Sequence, residues 1–219
     1  MFYTVKPSDT LSKIADKFDV KLSLLLAFNP QITDPDRIKV GQSIKIPNLE
    51  DVPANAPITQ GKDVADLLAR ARSAVKQGIR YKLGEGGMKP TAAMPDSNGK
   101  CDCSGFVCWV LGVSRKTTHP FYQKHGGWIF TDSMEADVKS SSGIFEGLNT
   151  PEPGCIVVFG AGNAIGHVGL VSEVANGKMK KVIHCSSGND ANFRDSIQET
   201  GPAVFNRADA LWGRFAGVV

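Results

Sequence analysis

Apolar residues fall at helical spacing twice within the first thirty positions. Leu11, Ile14, Ala15 and Phe18 mark one helix face, and Leu22, Leu25, Leu26 and Phe28 mark a second, stopped by Asn29 and Pro30. Short β-like runs flank the pair, F-Y-T-V before it and Q-S-I-K-I-P after it, so the order β-α-α-β is predicted in under fifty residues. Asp9 or Thr10 stands where it can cap the first helix. Periodicity then lapses over L-E-D-V-P-A-N-A-P-I-T-Q-G, residues 49–61, whose Pro, Asn and Ala content predicts an extended, semi-rigid linker. The chain thereby divides into a domain at 1–48, the linker, and a domain at 62–219.

In the second domain Val64, Leu67, Leu68, Ala71 and Val75 line one face of a helix. The run I-R-Y-K-L-G-E-G-G-M-K-P-T-A-A-M-P-D-S-N-G-K is too rich in Gly, Pro and Asn to be regular. It leads into C-D-C-S-G-F-V-C-W-V-L-G, where Phe106, Val107, Val110 and Leu111 predict a buried helix starting near Cys103. Two further runs, G-C-I-V-V-F-G and G-H-V-G-L-V-S-E-V, flank the short A-G-N-A-I turn and read as a hairpin. Within its second strand His167, Gly169 and Val171 share a face, and Gly169 is expected to leave open space beside the imidazole. In K-K-V-I-H-C, Val182 and His184 share a face, which lets His184 lie beside His167 and fix its tautomer.

Composition narrows the function classes. With 219 residues, 42% of them hydrophobic, the chain can hold one mid-sized domain and a small one. A net charge of +3 without a Lys/Arg cluster points away from nucleic acid as a partner. No apolar run reaches the roughly 18 residues of a membrane span, and M-F-Y-T-V-K-P-S-D-T has no apolar signal segment, so synthesis in the cytoplasm is expected. Five cysteines, sparsely spaced, do not form a disulfide framework.

The candidate chemistry centres on Cys103. A thiol at a helix N-terminus faces unpaired amide dipoles, which favour thiolate and are expected to lower its pKa. A thiolate also needs a base, and of the four histidines His167 and His184 lie in strands while His119 and His125 lie in the central loop region. A rival reading makes Cys101, Cys103, His119 and His125 a zinc site, but their spacing fits no common zinc pattern, so no metal and no cofactor are expected. Cys108, Cys155 and Cys185 read as packing residues. Cys101 is close enough in sequence to pair reversibly with Cys103 as a redox guard.

Two resemblances add to this reading. Y-T-V-K-P-S-D-T-L-S-K-I-A-D-K-F-D-V, followed by L-L-A-F-N-P-Q-I-T-D-P-D-R-I-K-V-G-Q-S-I-K-I-P, resembles a LysM domain over residues 2–47. That resemblance implies binding of N-acetylglucosamine-containing glycans by two loops, Pro7, Ser8, Asp9, Thr10 and Leu11 on one side and Asn29, Pro30, Gln31 and Ile32 on the other. From about Lys62 onward, D-C-S-G-F-V, G-C-I-V-V-F, G-H-V-G-L-V and V-I-H-C resemble the NlpC-type cell-wall peptidases, a papain-like family. It implies an α+β fold with a helix-borne cysteine packed on an antiparallel sheet, Cys103 as nucleophile, His167 as general base and acid, and His184 as the orienting polar residue. Tyr81 would assist the oxyanion site with the backbone N–H of Cys103 or Ser104.

Y-K-L-G-E-G-G stands where the family has Y-x-W-G-G, G-C-I-V-V-F stands where it has G-D-L-V-F-F, and residues 113–153 do not align. The implied function is a LysM-targeted peptidoglycan hydrolase cutting the γ-D-glutamyl–diaminopimelate bond of the stem peptide. An N-acetylmuramoyl-L-alanine amidase, a non-catalytic peptidoglycan- or chitin-binding protein and an acyltransferase are the alternatives. Peptidoglycan is the expected partner, with an immunity or inhibitor protein a further one, and the site of action is the bacterial wall after release or injection.

Overall fold

The computed structural model describes residues 2–18, 25, 29, 32, 38–46, 63–162 and 165–217. The linker expected at 49–61, most of the second small-domain helix, and Pro30 and Gln31 lie outside the described residues. The chain forms two compact units, residues 1–61 and 62–219.

In the first unit β1 (Phe2–Thr4) pairs antiparallel with β2 (Ser43–Lys45), Tyr3 opposite Ile44. Helix α1 (Leu11–Lys17) starts at Thr10, whose Oγ1 accepts the Lys13 N–H at 3.2 Å, so Thr10 rather than Asp9 is the cap. Asp9 holds the preceding turn instead, accepting from Tyr3 Oη and Lys6 N at 2.8 Å each. Val5, Leu11, Ile14, Ala15, Leu25, Ile44 and Ile46 form a separate small core.

The second unit is built on a six-stranded antiparallel sheet. Its strands are β5 (Phe145–Leu148), β6 (Ile156–Phe159), β7 (His167–Ala175), β8 (Lys178–Cys185), β9 (Ile197–Thr200) and β10 (Leu211–Phe215), in the order β5-β10-β6-β7-β8-β9. The expected hairpin is β6–β7, with Phe159 opposite His167. Strand pleating sorts residues by face. Ile156, Val158, Val168, Leu170, Ile183 and Cys185 join the main core with the cysteine helix, while Val157, Phe159, Val171, Val182 and Phe205 form a second core.

Helix α2 (Val64–Ser73) buries Leu67, Leu68 and Ala71, as its spacing predicts. Helix α3 (Cys103–Leu111) has all nine residues buried, which explains a sequence with no polar face. Asp102 caps its start and Gly112, at φ 66°, ends it in the left-handed conformation. The preceding Gly-rich run, expected to be irregular, contains β3 (Arg80–Tyr81) and β4 (Lys100–Cys101), a two-residue parallel pair with Tyr81 opposite Cys101.

Residues 113–153 supply α4 (Pro120–Gln123), α5 (Thr131–Ser140) and β5. Asp137 anchors this segment: its buried carboxylate accepts the backbone N–H of Gly143 and Ile144 and the Tyr122 hydroxyl. Among the described residues no helix is long and apolar enough to cross a membrane.

Candidate active site

Asp102 builds the ground on which Cys103 stands. Its Oδ1 accepts from Gly105 N at 2.8 Å and Ser104 Oγ at 3.1 Å, and its Oδ2 accepts from Gly84 N and Arg115 Nη2 at 2.7 Å each. Arg115 also donates to Ser104 Oγ at 2.8 Å and Glu85 O at 3.2 Å. The two side chains are 1% and 7% exposed, so this is a buried, multiply bonded ion pair. Gly105 is required for the same junction: a Cβ there would stand 2.5 Å from Glu85 O and 2.8 Å from Gly86 O. The E-G-G segment and the first turn of α3 are in backbone contact.

Cys103 is 4% exposed. Burial, then the Asp102 carboxylate, push its thiol up to about 12, against the pull of the Val168 and Ser104 backbone N–H groups. The lowered pKa expected from the helix N-terminus is therefore overturned: desolvation of the charged form outweighs the amide dipoles. Burial, and next the Cys103 sulfur, also push the phenol of half-buried Tyr81 up.

On β7 and β8 the expected histidine pair forms. His167 Nε2 and His184 Nδ1 are 2.8 Å apart, and His184 Nε2 is 3.0 Å from Thr200 Oγ1 on β9. Thr200 donates its own hydroxyl proton to Gly201 O at 3.1 Å, so its oxygen accepts from His184 Nε2–H. Burial lowers His184 to about 4 and, with the His184 charge, lowers His167 to about 3, so both rings are neutral at pH 7. A neutral His184 protonated on Nε2 must accept at Nδ1, so His167 carries its proton on Nε2 and keeps a lone pair on Nδ1.

The space beside Gly169 is filled, contrary to expectation. A Cβ there would stand 2.5 Å from Val182 Cγ1 and 3.0 Å from His184 Cβ and Phe205 Cζ. Phe205 stacks on His167 at 5.1 Å and 11° and meets His184 edge-on. Thr200, Phe205 and Arg115 are the neighbours that sequence reasoning missed.

Cys103 and His167 approach through their backbones, since the Val168 N–H points at the sulfur. Cys101 does not pair with Cys103: it lies against Cys185, whose thiol donates to Cys101 O at 3.2 Å, and all five cysteines are free. His119 caps α4 through Nδ1, and His125 sits between Phe121 and Phe130. Neither imidazole joins Cys101 or Cys103 in a ligand cluster among the described residues.

Gly84, Arg115, His125, Trp128 and Phe130 line a cavity of about 350 Å³. It adjoins the Asp102 cap through Gly84 and Arg115. Phe130 precedes α5, whose Asp132 Oδ1 accepts the Ala161 N–H at 2.6 Å in the turn leading toward His167.

In the small domain, Leu11 and Asn29 are buried. The Asn29 amide donates to Leu25 O and Lys45 O and accepts from Lys45 N at 2.8 Å, tying Leu25 to β2. Their side chains hold the module together. Ile32 packs partly on the same core, and Pro7 and Ser8 remain in the exposed turn.

Comparison with known proteins follows this division. Residues 3–47 match the LysM domain and residues 94–189 match the CHAP domain. An endolysin of Bacillus phage PZA is 50% identical over 44 residues, 20% of this chain and 17% of that protein. A secreted LysM effector of Passalora fulva is 47% identical over 45 residues, 20% of each. The chain thus spans about a fifth of the curated relatives it matches. The crystal structure of the NlpC/p60 domain of the peptidoglycan hydrolase SagA superposes with a TM-score of 0.38 and 18% identity, covering 69% of this chain and 97% of that one. Two family models thus match in succession, the LysM domain on the first unit and the CHAP domain on the α+β second unit.

Proposed function

We propose that the protein is a peptidoglycan hydrolase of the cysteine-peptidase kind, brought to the wall by its LysM domain. The observation that supports this reading is the tautomer chain Thr200–His184–His167, which leaves a lone pair on His167 Nδ1, on the strand whose Val168 N–H points at the Cys103 sulfur. Cys103 gives its proton to Nδ1 as the sulfur attacks an amide carbonyl. The carbonyl oxygen becomes an oxyanion facing the first amides of α3 and the Tyr81 hydroxyl. Collapse expels the amine, which takes the proton back from His167, and water activated by the same nitrogen releases the acyl group.

His184 and Thr200 act as positioning residues: they hold the His167 ring and spread the charge it acquires. The His167 values describe the resting site, where a neutral thiol faces a neutral imidazole, so proton transfer accompanies attack rather than preceding it.

The substrate bond is the γ-D-glutamyl–diaminopimelate amide of the stem peptide, from the likeness of D-C-S-G-F-V, G-H-V-G-L-V and V-I-H-C to NlpC-type peptidases. The muramoyl–L-alanine amide is the second reading, favoured by the uncharged aromatic cavity beside the cysteine helix. LysM tethering raises the local concentration of the polymer, so modest sugar affinity suffices.

Mass spectrometry of soluble products from purified sacculi, digested under reducing conditions by the wild type and by Cys103→Ala, tests the proposal. Fragments ending at D-glutamate from the wild type alone support the endopeptidase, and free intact stem peptides support the amidase. Equal release by both proteins, or by neither, overturns the hydrolase.

A further inference from the structure

The cavity beside the cysteine helix has an unusual balance of groups. Its one fully charged lining residue, Arg115, is already neutralised by Asp102 at 2.7 Å, so the cavity offers no spare charge to a carboxylate. The rest of its lining is aromatic or bare backbone: Trp128, Phe130, the His125 ring and Gly84, where a side chain would meet nothing within 4 Å. One polar atom is left over. His125 Nε2 is buried and has no hydrogen-bond partner among the described residues, although Phe121 and Phe130 fix the ring on either side.

An orphaned buried nitrogen in an aromatic cavity costs stability unless a ligand completes it. Lys116 Nζ lies 5.6 Å from the Trp128 ring centre, but that lysine is exposed and solvent-screened. The surroundings are apolar as well: Leu83 is 67% exposed beside Gly84, and Trp128 is 38% exposed. Exposed apolar side chains gathered around a cleft mark a binding surface.

We infer that this cavity binds an N-acetylated sugar ring of the substrate glycan, next to the bond being cut. The inference rests on the hydrolase reading and deepens it. A stem peptide presents carboxylates and ammonium groups, which an uncharged aromatic cavity rejects by desolvation. A pyranose ring with an N-acetyl group is neutral and amphipathic: its C–H faces pack on Trp128 and Phe130, and its amide or hydroxyl completes His125 Nε2. The glycan is then recognised twice along the chain, by the LysM loops for targeting and by this cavity for alignment at Cys103.

The test uses the full chain and two substrates, an N-acetylmuramoyl stem peptide and the same peptide capped with a D-lactoyl group alone. Both contain the lactoyl–L-alanine and γ-D-glutamyl amides, so either cleavage is read. The wild type is expected to show a KM about tenfold lower on the sugar-bearing substrate. Trp128→Ala and His125→Phe are expected to remove that advantage, bringing the two KM values together. Equal wild-type KM values on both, or equal loss on both in the variants, overturn the inference.

If neither substrate is cleaved, the hydrolase reading is what fails, and the cavity is judged by binding. The indole N–H resonance of Trp128, assigned with Trp128→Phe, should shift when the sugar-bearing substrate is added to Cys103→Ala. Shifts confined to residues of the first unit overturn the cavity's role.

Discussion

His167 Nε2 stands 2.8 Å from His184 Nδ1, and Thr200 on the next strand fixes which of the two nitrogens carries the shared proton. Replacing His184 by Ala removes the acceptor that orients the His167 ring. A fall in kcat of about 10²-fold or more is expected, with KM little changed. Thr200→Val removes only the outer bond and is expected to lower kcat by about tenfold, the value of one hydrogen bond. Steady-state kinetics of the two variants, with pH profiles, check the ordering; a larger effect at Thr200 than at His184 contradicts it.

Cys103 is buried and its thiol sits near 12, so thiolate becomes more abundant as pH rises through the whole accessible range. Alkylation of Cys103 by iodoacetamide, followed by peptide mapping, is expected to accelerate about tenfold per pH unit from 7 to 10 without levelling off. A plateau already reached at pH 7 would mean a preformed thiolate.

The two histidines make the domain acid-sensitive. Their folded values, about 3 and about 4, lie below the ordinary 6.5, so the unfolded chain binds more protons in between. Their contribution to stability is complete above about pH 6.5 and is lost as pH falls toward 3. Urea unfolding at pH 7, 5.5 and 4.5 should show this decline, and the decline should be shallower in His184→Gln.

Asp102 and Arg115 form a buried pair whose halves lie on different segments. Arg115→Met leaves the carboxylate uncompensated in the core and is expected to cost about 3–5 kcal/mol. Gly105→Ala drives a methyl group into the Glu85 and Gly86 carbonyls and is expected to cost about 1–3 kcal/mol through displacement of the E-G-G segment. Chemical denaturation measures both; a near-neutral Gly105→Ala would mean that the loop yields without strain.

The core of the site was legible because burial writes itself plainly. Phe106, Val107, Val110 and Leu111 announce a buried helix, and the β6 and β7 runs, continuously apolar on either side of a short turn, are plain enough to set His167 on its strand. The paired imidazoles followed from the pleat alone. Thr200 was not legible, since I-Q-E-T is a short, mostly polar edge strand whose one relevant hydroxyl looks like any surface threonine. Phe205 comes from a 3₁₀ turn, Ala203–Phe205, with no periodicity to mark it. Strands β5 and β10, F-E-G-L and L-W-G-R-F, carry internal glycines that weaken a strand reading. The pKa of Cys103 was misjudged because a helix terminus is visible in sequence, whereas the depth at which it is buried is not.

Arg115 gives the 113–130 segment a particular kind of attachment. The arginine is fastened to the helix that bears the nucleophile, and Asp132 is fastened to the turn before His167, while the intervening residues carry the cavity wall. A segment clamped at both ends and tied internally, Thr117 N–H to Gly127 O and Ile129 N–H to Arg115 O, is an interchangeable part: the wall side chains it exposes can be rewritten for another substrate without resetting the geometry of the thiol or the imidazole.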